Sequence, residues 1–205
     1  MTLGQWLPLA LLCLLGAMSP GPSLAVVTRH ALAGGTHAGV ICAVSHGFGI
    51  FLWAALMMSG LGAMLLAQPT WFDGLRALGA MFLLYLGSRA FFSRRRGPPS
   101  SVSQVIDGGR KAVWEGFFIA LSNPKVAVFF AALFSQFIQA DATLTTQAII
   151  AVTAAAVDAL WYIVVAVLLS RPLWSDRLMR HGDLLDRGFG AILIGLSVAV
   201  LWSLW

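Results

Sequence analysis

The chain has 205 residues, 59% of them hydrophobic and only 10% charged, with a formal net charge of +5. A soluble domain carries about 25% charged residues, so the composition excludes a soluble globular fold, intrinsic disorder and a collagen-like repeat. It also argues against nucleic-acid binding, because the positive residues sit in short connections between apolar blocks, where they report membrane topology.

Six stretches are apolar over the roughly 20 residues that a transmembrane helix needs. The first, Leu7–Thr28, carries Ser19-Pro20-Gly21-Pro22-Ser23 in its interior. It lacks a basic leader and its apolar run is too long, so it reads as a span and not as a cleaved signal peptide. Gly34-Gly35-Thr36-His37 separates it from the second, Gly39–Leu66, which holds His46. Gln68-Pro69-Thr70 precedes the third, Leu75–Phe92. The fourth, Val113–Ile138, contains Ser122-Asn123-Pro124-Lys125, and the fifth, Ala148–Leu169, contains Asp158, Trp161 and Tyr162. Ser170-Arg171-Pro172 follows the fifth, and Arg187–Trp202 is the sixth. Lipid leaves the edge of an open sheet unpaired, so the fold expected is all-α.

Between the third and fourth spans lies the most charged connection, Ser93–Lys111. It divides one transmembrane domain, 1–205, into a three-helix half at 1–92, a linker at 93–111 and a second three-helix half at 112–205. Three helices per half force the second to cross the bilayer in the opposite sense, which is the plan of an inverted repeat. Basic residues fix the orientation. Arg29, Arg89, Arg94, Arg95, Arg96, Arg110, Lys111, Arg171, Arg177, Arg180 and Arg187 lie on one side, and Arg76 alone lies on the other. That side is cytoplasmic, which places both termini outside.

Each half is interrupted inside its first span, at Ser19–Ser23 and at Asn123–Lys125. Proline removes a backbone donor and glycine adds freedom, and the polar groups so released need protein or a water-filled cavity around them. Matching interruptions in two halves point to a substrate site at the midplane, although kinked helices alone would give the same pattern. Substrate-binding candidates are therefore Ser19, Pro20, Gly21, Pro22, Ser23, Asn123, Pro124, Lys125 and Trp161; Trp161 and its neighbour Tyr162 either shape the cavity or pack against lipid and other helices. Ser19 and Ser23 can equally satisfy carbonyls freed by the prolines.

Lys125 is the one charge in Phe117–Gln139. A mid-span lysine costs about 2.5–3.5 kcal/mol to insert, so it should face the interior, as a carboxylate ligand or as a fixed ion pair. Asp158 is the sole acid of the fifth span and can be the partner of Lys125, a ligand for an ammonium, or the proton carrier. His46 suits proton movement by its chemistry, and interhelical hydrogen bonding fits it equally well. Gly35, Gly39, Gly47, Gly49, Gly60 and Gly62 read as packing positions, and small-residue faces of this kind allow a homodimer without requiring one.

Ser19-Pro20-Gly21-Pro22 followed by Gly34-Gly35 and Gly39 resembles the opening signature of the LysE/RhtB amino-acid exporters. Leu78 to Gly87 is similar to that family's third helix, Gly116 with Asn123-Pro124-Lys125 and Phe129-Phe130 to its fourth, Leu160-Trp161-Tyr162 to its fifth, and Gly190 to Gly195 to its sixth. Ser135-Gln136-Phe137 departs from the Pro-Gln-Phe that members often carry. The resemblance implies a multi-pass inner-membrane protein that exports amino acids or close derivatives, driven by protons, with no cofactor and no bound metal. One lysine and one aspartate suit a zwitterion better than a dication, which favours neutral amino acids such as threonine, homoserine or leucine.

Readings from other classes fit less well. A six-helix thiol–disulfide electron carrier would need paired cysteines, whereas Cys13 and Cys42 both lie in the first half and make no C-x-x-C. No metalloprotease, nucleophile-elbow or P-loop pattern occurs, so an enzyme is not expected. One intramembrane histidine and one aspartate make a poor metal site.

Overall fold

The computed structural model describes residues 1–19, 21–92, 108–134, 137, 143–170 and 182–203. Its regular elements among these residues are seven α-helices: α1 Leu3–Met18, α2 Pro22–Ala67, α3 Pro69–Phe92, α4 Gly108–Ser122, α5 Pro124–Phe134, α6 Leu144–Leu169 and α7 Gly182–Ser203.

Proline sets several of these boundaries. Pro22, Pro69 and Pro124 each open a helix, where the missing N–H would be unpaired anyway. The residue before a proline is pushed out of the α region. Ser19 accordingly leaves α1 with φ −64° and ψ 129°. Asn123 divides α4 from α5 in the same way, and those two helices are bent by 56°. The Asn123 Oδ1 accepts the Lys125 N–H at 3.0 Å and so caps α5. At the start of α6, Thr143 Oγ1 accepts the Thr146 N–H at 3.2 Å.

α2 folds back on itself at Gly35, which has φ 74° and ψ 179°. A Cβ on Gly39 would stand 2.8 Å from the Cβ of Ala31. On a straight helix these two positions would be about 12 Å apart. A first arm at 22–34 therefore lies against a second arm at 36–67, so the expected boundary at Gly34–His37 narrows to a one-residue corner. Only glycine adopts this backbone without strain. Gly35→Val should destabilise the protein by about 1–3 kcal/mol. Thermal unfolding in detergent will read this as a lowered midpoint, while Gly60→Ala, where a Cβ meets nothing within 4 Å, leaves the midpoint in place.

Two helices among the described residues, Pro22–Gly60 and Leu144–Leu169, are long and apolar enough to cross a membrane, or three if the bent α4–α5 pair counts as one span. Length and composition thus recover two or three of the six spans expected, among the described residues. α3 begins at Pro69 and not at Leu75, and α4 begins at Gly108, inside the expected linker. The rest of that linker, 93–107, lies outside the described residues, as do Ser135 and Gln136.

Small residues set the helix packing. Cβ atoms on Gly39 and Gly47 would lie 2.8 and 2.7 Å from Ala166 and Ala159 of α6, so the second arm of α2 runs antiparallel to α6. The same arm runs parallel to α4, with Gly49 against Ala120 and Cys42 against Gly116. α3 and α7 are antiparallel, with Gly87 against Gly190 and the Ser197 hydroxyl donating to the Ala80 carbonyl at 2.6 Å. Lipid gives helices no hydrophobic reason to associate, so close backbone approach supplies much of the attraction. A larger apolar cluster includes Leu9, Ile50, Met58, Leu83, Leu133, Phe134 and Leu193. A smaller one gathers Val27, Ala31, Cys42, Ala112, Tyr162 and Ala166.

Candidate functional site

The two helix breaks meet. Asn123 Nδ2 donates to Ser23 Oγ at 2.9 Å. The Lys125 ammonium donates to Ser19 Oγ at 2.6 Å and to the Ser19 carbonyl at 3.0 Å. In an unbroken helix the Ser19 carbonyl would accept from the amide four residues on; here the lysine serves it instead. Gly21 admits this arrangement, since a Cβ there would lie 3.3 Å from Lys125 Nζ.

A narrow cleft of about 20 Å³ opens at this junction. Its polar wall is Ser19, Ser23, Asn123, Lys125, Asp158 and Tyr162, and its apolar wall is Gly16, Ala17, Val126, Phe129 and Phe130. Gly16 makes room for the Phe129 ring, whose Cε1 would lie 2.5 Å from a Cβ on that glycine. One side of the cleft can thus bond charged or polar groups, and the other can receive hydrocarbon.

α6 contributes the acid. Asp158 is buried and its Oδ2 lies 2.6 Å from His46 Nδ1, on the second arm of α2. His46 is fully buried, and its Nε2 has no hydrogen-bond partner among the described residues. Tyr162 packs edge-on against the His46 ring at a centroid distance of 5.0 Å and lines the cleft with Ser23 and Asp158. Two bonded groups thus face the cleft, Lys125 with Ser19 and Asn123 with Ser23, while Asp158 is bonded to His46 behind it. Buried polar groups in a bilayer are costly unless bonded to one another, so the network also ties the helices together.

The structure brings Ser19, Gly21, Ser23, Asn123, Lys125 and Asp158 together at the cleft, with His46 one bond behind. Pro20 lies outside the described residues. Pro22 is exposed and does not line the cleft, and Pro124 acts through the backbone by opening α5. Trp161 corrects the expected wall. It packs against the smaller apolar cluster, and its indole N–H is buried with no partner among the described residues. Tyr162, the other aromatic expected there, lines the cleft, because four residues on from Asp158 returns to the same helix face. By the same spacing Phe129 stands a turn beyond Lys125, a position the sequence pattern could have flagged.

Cys13 and Cys42 are free thiols buried in different apolar clusters, and neither lines the cleft. Asn123→Ala should leave the Ser23 hydroxyl and the start of α5 without their partners. We expect a loss of about 1–3 kcal/mol in stability, read as a lowered thermal midpoint in detergent.

The model of one protein family, LysE type translocator, matches residues 14–204. A leucine efflux protein of Enterobacter sp. (strain 638) is 28% identical over 130 residues, covering 62% of this chain and 60% of that protein. A leucine efflux protein of Salmonella choleraesuis (strain SC-B67) is 26% identical over 127 residues, covering 60% of this chain and 58% of its own length. The matched region therefore spans about three-fifths of these curated relatives. No solved structure matches.

Proposed function

The chain belongs to the LysE type translocator family, and from that premise we propose that it is a secondary transporter exporting neutral amino acids from the cell in exchange for protons. The observation that carries the reading is the meeting of the two helix breaks on one cleft with both a polar and an apolar wall. The Lys125 ammonium and Ser19 face the substrate carboxylate, Asp158, Ser23 and Tyr162 face its ammonium, and Val126, Phe129 and Phe130 receive an aliphatic side chain. Names of the relatives favour leucine within the neutral class. The buried His46–Asp158 pair carries the proton, since imidazole and carboxylate in contact can pass one proton between them.

The transport cycle rests on two three-helix halves of opposite sense, rocking about the crossing of the broken spans. In support, the broken span formed by α1 and the first arm of α2 approaches the end of α6 that holds Ser170, whereas α4 departs from that same end. Thr36 Oγ1 lies 2.6 Å from Ser170 Oγ there, and Arg29 is paired with Glu115. We place this basic end in the cytoplasm of the inner membrane and both termini outside. Gly74, Gly188 and Gly195, where a Cβ would meet nothing within 4 Å, leave small-residue surface for a second copy.

Efflux from preloaded vesicles tests the reading. Leucine, threonine, homoserine and arginine are compared with and without an imposed pH gradient. Leucine efflux should accelerate when the receiving side is acid, with arginine the poorest substrate. Preferential arginine export would overturn the neutral class, and indifference to the gradient would overturn proton exchange.

A further inference from the structure

We propose that Glu115 and the three basic side chains around it form the latch that closes the basic end of the transport path. The sidedness of this latch rests on the exporter reading, but its existence rests on geometry alone. Glu115 Oε2 accepts from Arg29 Nη2 and lies 2.7 Å from His30 Nε2, while its Oε1 is 3.9 Å from Lys111 Nζ. Arg29 and His30 come from the first arm of α2, before the central connection, and Lys111 and Glu115 come from α4, after it. One carboxylate thus joins the two parts of the chain.

The burial pattern shows what the carboxylate holds. The His30 side chain is 0% exposed, while those of Arg29 and Lys111 are 46% and 50% exposed. The cluster therefore has a wet outer rim and a dry inner edge. Remove the negative charge and two cations are left facing each other, while a buried imidazole loses its partner. Neighbouring ties at this end are also polar: Thr36 Oγ1 to Ser170 Oγ at 2.6 Å, and the Ser45 hydroxyl to the Val113 carbonyl at 2.6 Å. The larger apolar cluster, which holds Leu9, Leu133 and Phe134, is mostly hydrocarbon, with neutral ties beside it from Trp6 Nε1 to Thr153 Oγ1 at 3.0 Å and from Trp53 Nε1 to the Leu121 carbonyl at 3.1 Å. Water can replace polar ties at little cost, whereas parting an apolar cluster exposes its whole surface. The basic end is the end built to open.

Directly behind the latch lies Cys42. It is 0% exposed, packed with Val27, Ala31, Ala112 and Tyr162, and a Cβ on Gly116 would sit 3.1 Å from its Sγ. Tyr162 belongs both to this cluster and to the cleft wall, so the route from the latch to the cleft passes this thiol. Cys42 is thus a native reporter of opening.

The test is alkylation of Cys42 by N-ethylmaleimide in membrane vesicles, in a Cys13→Ala background and without substrate. Glu115→Gln should raise the labelling rate at least about tenfold, equivalent to about 1.4 kcal/mol between the closed and open forms. The exchange Arg29→Glu/Glu115→Arg should return the rate toward that of the native latch. A Cys42→Ala background reports Cys13, which lies in the larger cluster and should stay slow. Labelling of Cys42 at the native rate in Glu115→Gln overturns the latch. Equal acceleration of Cys13 also overturns it, since Glu115 would then hold the whole bundle and not one entrance. Should the native protein fail to export leucine while Cys42 behaves as stated, the exporter reading falls and the latch stands.

Discussion

Asp158→Asn should abolish proton-driven efflux while the protein still inserts and folds. Asparagine has nearly the shape of aspartate and can still bond His46 Nδ1, now 2.6 Å from the Asp158 carboxylate, so the contact between α6 and the second arm of α2 is kept. It has no proton to exchange. We expect leucine efflux under a pH gradient to fall by at least about 100-fold, equivalent to about 2.7 kcal/mol on the limiting barrier. Exchange of leucine for leucine across the membrane needs no net proton movement and should persist in part. Full retention of gradient-driven efflux would remove Asp158 from the proton path. His46→Gln should move the same readout in the same direction, because it removes the imidazole that shares the proton.

Lys125→Met carries the second large effect. The methionine fills the space but offers no donor, so the substrate carboxylate loses its cation and the Ser19 carbonyl loses a hydrogen bond of 3.0 Å. A hydrogen bond to a charged group contributes about 1.5–3 kcal/mol, which corresponds to a roughly 10–100-fold rise in the leucine concentration giving half-maximal efflux. Lys125→Arg should restore little. The guanidinium is broader than the ammonium and is planar, so it does not reproduce the paired bonds that Nζ makes to the Ser19 hydroxyl and carbonyl. Unchanged half-saturation in Lys125→Met would show that the lysine only completes the helix break.

What could be read in the sequence was whatever is decided locally. Proline chemistry at Pro22 and Pro124 marks the breaks, because the steric rule acts on the adjacent residue and needs no tertiary context. Gly34–His37 marks a boundary locally too, but Gly35 reads there as a packing glycine, and only its φ of 74° makes it the corner. Residues joined by the fold alone were not legible. His46 and Asp158 lie 112 positions apart, and the chain names no partner for either. The His30–Glu115 contact was hidden likewise: His30 reads only as a residue beside Arg29 on the basic side, while Glu115 stands near the start of a span with nothing to mark it. The choice between Trp161 and Tyr162 turns on helix rotation, which neighbouring lipid-facing aromatics obscure. Length windows also mislead where a span is assembled from two pieces, as in α4 and α5.

The lysine bonded to the Ser19 carbonyl has a mechanical consequence. It stands in for an absent amide, so the broken turn is held by a group that an incoming anion also wants. Any guest whose carboxylate draws the ammonium aside leaves that turn slack, and a guest that departs lets it tighten again. On the proposed reading, occupancy and the stiffness of the hinge become one variable, and the crossing of the two spans would sense its cargo with no separate relay.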